Sequence, residues 1–301
     1  MIAFNLKSVV NQIALFLILF GINTVFFSLF TDFTASLIFG VDNLTTAEAL
    51  RYVESVSQIV VFGLTGFAFA FFVNEKKPLP YLGLSRGISA SSCFFLVLIA
   101  LVSLPALSWI IEWNEAIKLP QFMSSVEVWM RQQEDAANKL TSSLLSGNHL
   151  SVLFVNVLVM AIIPALCEEL LFRGVIITWL KNLLGNVHLC VCLSAFIFSA
   201  IHLQFYGFVP RLLLGLYLGY IFVWTGSIWA SVIAHFINNG MIVIAAWLYN
   251  IQLTNSQYDD FGVVGDNYLL IILSFMLTSA AIYLFYSIQK FSLHKKNHTL
   301  P

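Results

Sequence analysis

Charge is what this chain has least of. Of its 301 residues, 14 are Lys or Arg and 15 are Asp or Glu, so 10% are charged, against about 25% in a soluble globular domain. That excludes an ordinary water-soluble fold. The formal net charge of −1 removes any bulk field that would draw nucleic acid or an acidic partner. Cysteine is scarce as well. Cys93, Cys167, Cys190 and Cys192 all fall in apolar runs, at spacings that make neither a zinc knuckle nor a disulfide scaffold, and they read as small buried hydrophobes. Several nucleophile signatures are missing. Without Gly-x-Ser-x-Gly there is no support for a hydrolase serine. Without His-Glu-x-x-His there is none for a zincin or site-2-type metalloprotease. Tyr258-Asp259 lies in a polar stretch and no Gly-x-Gly-Asp accompanies it, so an aspartyl intramembrane protease is unsupported. No internal repeat points to an inverted-repeat transporter.

What is present is apolar sequence. Hydrophobic residues make up 59% and the mean hydropathy is +0.89. Runs of about 20 residues predict eight helices, near 10–30, 56–74, 91–112, 151–173, 188–204, 209–225, 228–248 and 268–288. The first run follows Lys7 without a small-x-small site at its end, so it reads as a retained span rather than a removed signal peptide. The stretch 32–55 reads as a loop with a short surface helix, capped by Thr45-Thr46-Ala47-Glu48. Residues 127–140 read as an amphipathic helix outside the hydrocarbon. The basic pieces, Lys7, Lys76, Lys77, Arg86, Lys181, Lys290, Lys295 and Lys296, alternate with net acidic ones at 32–55, 113–150 and 249–267. This distribution places both termini in the cytoplasm, as expected of a bacterial inner or plasma membrane protein. The fold expected is an all-α integral membrane bundle in three parts: 1–149, with helices one to three and amphipathic loops; 150–248, the core; and 249–301, with a polar loop, a last span and a basic tail.

Inside the core, charge recurs where hydrocarbon penalises it by several kcal/mol. Cys167-Glu168-Glu169-Leu170-Leu171-Phe172-Arg173-Gly174 lies in the apolar run from Leu150 to Leu180. Lys181 marks an interface, and Arg211 opens a span and can snorkel. Glu169 and Arg173, four apart, share a helix face and can neutralise each other. Glu168 is turned by about 100° from Glu169 and must find partners on other helices. Pro164, four residues before Glu168, removes a backbone bond and can bend this helix. Two later stretches supply polar groups: Phe198-Ser199-Ala200-Ile201-His202 and His235-Phe236-Ile237-Asn238-Asn239. His235 and Asn239 project from one helix face. Each residue alone has a bland role as a packing or interhelical hydrogen-bond partner. Together they are the parts for water activation, with Glu168 and His202, and for an oxyanion site, with His235 and Asn239. Glu168, His202 and His235 are also a three-ligand zinc set. The metal-free reading is favoured because it gives the Asn239 carboxamide a use.

In these residues the chain resembles the CAAX-processing and bacteriocin-processing (CPBP, or Abi) family of intramembrane proteases, whose pattern is Glu-Glu-x-x-x-Arg, Phe-x-x-x-His and His-x-x-x-Asn/Asp in that order. The resemblance covers about 150–245. It implies a membrane fold of the eight-helix type with a cavity open to the cytoplasm. It also implies that Glu168 and His202 activate water, that His235 and Asn239 form the oxyanion site, and that Glu169 and Arg173 support the helix. The family has been described as metal-dependent too, which leaves zinc open. Expected partners are the bilayer and a membrane-associated or lipidated peptide or protein. A non-catalytic immunity or scaffold protein and a proton-coupled transporter are the competing classes. Residue counting puts His202 about 10 Å from the depth of Glu168 and His235. That mismatch calls for a broken or tilted fifth helix, or one starting earlier, near Leu183.

Overall fold

The structure, a computed structural model, describes residues 8–254, 262–265 and 267–298, with side chains as far as Phe291. Lys7, Tyr258, Asp259, Asp260 and Asp266 lie outside the described residues, as do the side chains of Lys295 and Lys296. All regular structure among the described residues is helical. Among the described residues, seven helices are long and apolar enough to cross a membrane: α1 Val9–Phe39, α2 Ala47–Val73, α3 Ala90–Glu115, α5 Leu150–Leu184, α7 Phe208–Thr225, α8 Ile228–Asn250 and α9 Tyr268–His298. Between them lie the polar amphipathic helix α4 Ser124–Leu145 and the apolar helix α6 Val187–Ala200.

Four boundaries depart from the hydropathy pattern. The helix α1 runs on through Asp32 to Phe39, across the start of the expected 32–55 loop. The expected surface helix in 32–55 is the first part of α2. Thr46 caps it, its side chain accepting from Ala49 N, and the helix continues unbroken into the span. Arg51 does not end the helix in water. Its guanidinium donates to Asn156 Oδ1 at 2.7 Å, Leu144 O at 2.8 Å and Ser146 O at 2.7 Å, which lashes α2 to the end of α4 and the start of α5. The third departure is α5, which passes Arg173 and ends at Leu184. The fourth is the fifth apolar run. It forms only the 14-residue α6, about 21 Å long. The expected 188–204 span is therefore a short helix followed by a turn, and His202 sits in that turn.

The helix α5 packs against α2, α6, α7 and α8. Close approach on the α6–α7 seam depends on Gly215, where an added Cβ would lie 3.0 Å from Ala195 Cα. Three stretches wind as π-helix: 58–64 in α2, and 157–162 and 170–177 in α5. Such widened turns are costly and concentrate at functional sites. The two in α5 flank Ile163–Glu169, and the one in α2 packs on that same segment. At one end of the bundle the 75–90 turn meets the 225–228 turn. There Ser227 Oγ donates to Arg86 O, Ile228 N to Gly83 O and Trp229 Nε1 to Leu84 O. A cavity of about 370 Å³ opens between α3, α7, α8 and α9, lined by Tyr217, Trp224, Asn238, Met241, Phe275 and Thr278 among others.

Candidate active site

Glu168, Glu169, Arg173 and His235 are each 5% exposed or less. An unpaired charge that deep would be prohibitive, and the contacts show how it is met. Arg173 Nη1 donates to Glu169 Oε1 at 2.7 Å, and Arg173 Nη2 donates to the Gly215 carbonyl at 3.0 Å. The pairing expected from the four-residue spacing is present. The same Glu169 oxygen also takes His235 Nδ1 at 2.8 Å. A carboxylate only accepts, so Nδ1 carries the hydrogen and Nε2 is the nitrogen left for chemistry. That nitrogen faces Glu168 Oε2 at 3.9 Å. Glu168 thus finds its partner on α8, and Glu169 aims that partner as well as pairing with Arg173.

Phe198 backs the cluster. Its ring meets His235 edge-on at 6.0 Å and His202 at 5.2 Å, and the Arg173 guanidinium lies 4.9 Å from its centroid. His202 donates from Nδ1 to the Phe198 carbonyl at 2.7 Å, which leaves its Nε2 as the free nitrogen. The histidine at pairing distance from Glu168 is therefore His235 rather than His202.

Asn239 donates from Nδ2 to the Met160 carbonyl at 3.1 Å and accepts from Asn238 Nδ2 at 3.1 Å. The Met160 carbonyl lies in the π-wound turn just before Pro164, which brings no N–H to this part of the helix, and the Asn239 amide donates to it. One Nδ2 hydrogen is used there and the second remains available. Pro164→Ala would add a backbone N–H to this turn and set it in competition with Asn239 for the turn's carbonyls. If Asn239 serves the reaction, an unchanged or raised melting temperature is expected with a turnover lower by about 10- to 100-fold, the effect of an ångström's misplacement in a reacting geometry. Turnover within twofold of wild type would mean that this bond positions nothing.

The sequence reading missed three contributors. Glu54, in the stretch read as a loop with a short surface helix, lies on α2, where it accepts from Gln58 Nε2 at 3.1 Å and interacts electrostatically with Glu168. The signal was there in the Glu54/Gln58 spacing of four, once α2 is read from Ala47. Arg211 turns inward, donating from Nη2 to Gln204 Oε1 at 2.7 Å. Glu134 on α4 reaches the turn that carries His202, accepting from Tyr206 N at 3.2 Å. Burial raises the Glu134 carboxyl above the usual range, opposed chiefly by the Tyr206 N–H and by Arg211. Among the described residues, Glu169 Oε2, Arg173 Nε and Gln58 Oε1 are buried without a hydrogen-bond partner.

The zinc set fares differently. Among the described residues no three His, Cys, Asp or Glu side chains converge as a metal site. Glu168 Oε2 and His235 Nε2 face each other at 3.9 Å, and His202, its Nδ1 donating to the Phe198 carbonyl, keeps Nε2 free.

No curated protein matches the chain, and no solved structure does. Residues 150–241, which hold Glu168, Glu169, Arg173, His202, His235 and Asn239, match the family described as Type II CAAX prenyl endopeptidase Rce1-like, the CAAX-processing family to which the three motifs point.

Proposed function

We propose that this protein is an intramembrane endopeptidase that hydrolyses a peptide bond in a membrane-associated or lipidated substrate. The observation that carries the reading is the facing pair of Glu168 Oε2 and His235 Nε2 at 3.9 Å, with the imidazole aimed from behind by Glu169. The gap is too long for a hydrogen bond between them and short enough for both to contact one water. Glu168 takes a proton from that water as its oxygen attacks the scissile carbonyl carbon. The developing oxyanion takes a hydrogen bond from the free Nδ2 hydrogen of Asn239, while His235, its hydrogen held on Nδ1 by Glu169, accepts from the water through Nε2. Collapse breaks the C–N bond, and the proton held by Glu168 passes to the leaving amine. His202 presents Nε2 from the turn after α6 and orders the water or relays the proton. Asn238 both lines the apolar cavity and bonds Asn239. A hydrocarbon tail in that cavity would therefore lie beside the oxyanion site.

The test is cleavage in reconstituted vesicles of matched peptides with and without a hydrocarbon tail near the C-terminus, with both fragments identified by mass spectrometry. The tailed peptide is expected to be cut at least tenfold faster. A folded preparation that releases no fragment from either peptide would move the reading to a non-catalytic immunity or scaffold protein. Metal analysis of the same preparation decides the cofactor. Turnover surviving strong chelation supports the metal-free route. Stoichiometric zinc, lost together with activity on Glu168→Gln, would replace it with a metal-dependent one.

A further inference from the structure

The helix α6 stops at Ala200 without a Gly or Pro, and the chain turns through 201–207 beside the site. Irregular backbone so close to hydrocarbon survives only if its polar groups are met by protein. Here they are met by side chains from distant helices. From α3, Asn114 Nδ2 donates to Phe205 O at 3.1 Å and to Tyr206 O at 2.7 Å, while Asn114 Oδ1 accepts from Val209 N at 2.9 Å. From α4, Glu134 Oε2 accepts from Tyr206 N at 3.2 Å and Glu134 Oε1 from Gln204 Nε2 at 3.4 Å. Arg211 then holds Gln204 from the other side. Also from α4, the Arg131 guanidinium covers the Tyr206 ring at 4.3 Å, and the Trp129 ring packs on Phe205 at 5.3 Å. The turn is held against strain as well. Leu203 has φ +54°, the left-handed region that disfavours a side chain with Cβ. It immediately follows His202.

We infer that Glu134 is a positioning residue for His202, with the amphipathic helix α4 serving as the clamp that holds the His202 turn in its strained form. The role assigned to His202 rests on the endopeptidase reading above; the clamping of the turn does not. Removing the carboxylate frees the Tyr206 N–H and leaves Gln204 held by Arg211 alone. The turn then gains an unstrained alternative at Leu203, which rotates His202 away from the water.

The test uses the full-length protein in vesicles with Glu134→Ala, Glu134→Gln, Asn114→Ala, His202→Ala and the Glu134→Ala/His202→Ala pair. Hydrogen exchange of the 201–207 amides is expected to rise at least tenfold in Glu134→Ala and Asn114→Ala. Glu134→Gln keeps an acceptor oxygen and is expected to restore exchange to within threefold of wild type. In the cleavage assay Glu134→Ala should lower kcat about 10- to 100-fold with KM within twofold, and Glu134→Gln should recover most of it. The double variant should be no slower than His202→Ala alone, because both changes act through one side chain. Wild-type exchange in both alanine variants would overturn the clamp, even if one of them lost stability elsewhere. Unchanged kcat in Glu134→Ala beside a large loss in His202→Ala would overturn the positioning role. Full activity in His202→Ala would instead overturn the catalytic reading of His202, leaving the exchange result to judge the clamp.

Discussion

Replacing Glu168 by glutamine is expected to slow cleavage by about a thousandfold while leaving the fold at least as stable as wild type. The rate expectation follows from the role. A positioned general base contributes roughly 10²- to 10⁴-fold, and a carboxamide cannot take the proton. The stability expectation follows from the surroundings. Glu168 is 5% exposed, has its shortest ion-pair contact with His235 at 3.9 Å, and has the like charges of Glu169 and Glu54 nearby. Holding a carboxylate there opposes folding, and glutamine has the same shape without the charge. A residue kept for structure would show the opposite pattern, with stability falling and activity following it. Single-turnover cleavage and thermal unfolding in the same lipid preparation separate the two. Turnover within tenfold of wild type would sink Glu168 as the base. A stability loss of several kcal/mol with a proportionate loss of folded enzyme would recast it as a packing residue.

The legible part of this molecule is local. Hydropathy located the apolar helices, and spacing alone put Glu169 with Arg173 and His235 with Asn239 on shared faces. Long-range satisfaction of charge was not legible, and it accounts for most of the shifted boundaries. Arg173 reads as the end of a span, yet it is buried, with Glu169 and the Gly215 carbonyl 42 residues away as partners, so α5 runs on. Arg51 and Glu54 read as part of a surface stretch, yet the Arg51 guanidinium donates to carbonyls near residue 145. The stop of α6 showed only as the depth mismatch of His202, because the apolar pattern continues through Ile201 and the break is set by partners on α3 and α4. In the site, the need of Glu168 for a partner on another helix followed from the sequence. Which histidine would answer did not, since that depends on the Glu169 bond to His235 across 66 residues.

Glu169 is where two roles of one side chain can be pulled apart. Its Oε1 neutralises Arg173 and also fixes the hydrogen on His235 Nδ1. Glu169→Met removes both functions and leaves a guanidinium that is 1% exposed without its counter-charge. Breaking a buried pair from one side costs about 3–5 kcal/mol, so a large fall in melting temperature is expected. Glu169→Met/Arg173→Met removes the stranded charge as well. Replacing a buried pair by apolar groups of similar size is often close to neutral, so the double variant should recover most of the lost stability. Activity should not follow. His235 still lacks its acceptor, its Nδ1–H tautomer is no longer enforced, and Nε2 is no longer held toward Glu168. Losing the carboxylate that orients a catalytic histidine costs up to about 10⁴-fold in a comparable arrangement, and at least a hundredfold deficit is expected to persist in the stable double variant. Recovery of turnover alongside the melting temperature would show that Glu169 only supports its helix. Stability restored with activity still absent would show that the buried pair is the back half of the catalytic apparatus, holding His235 to Glu168 from behind.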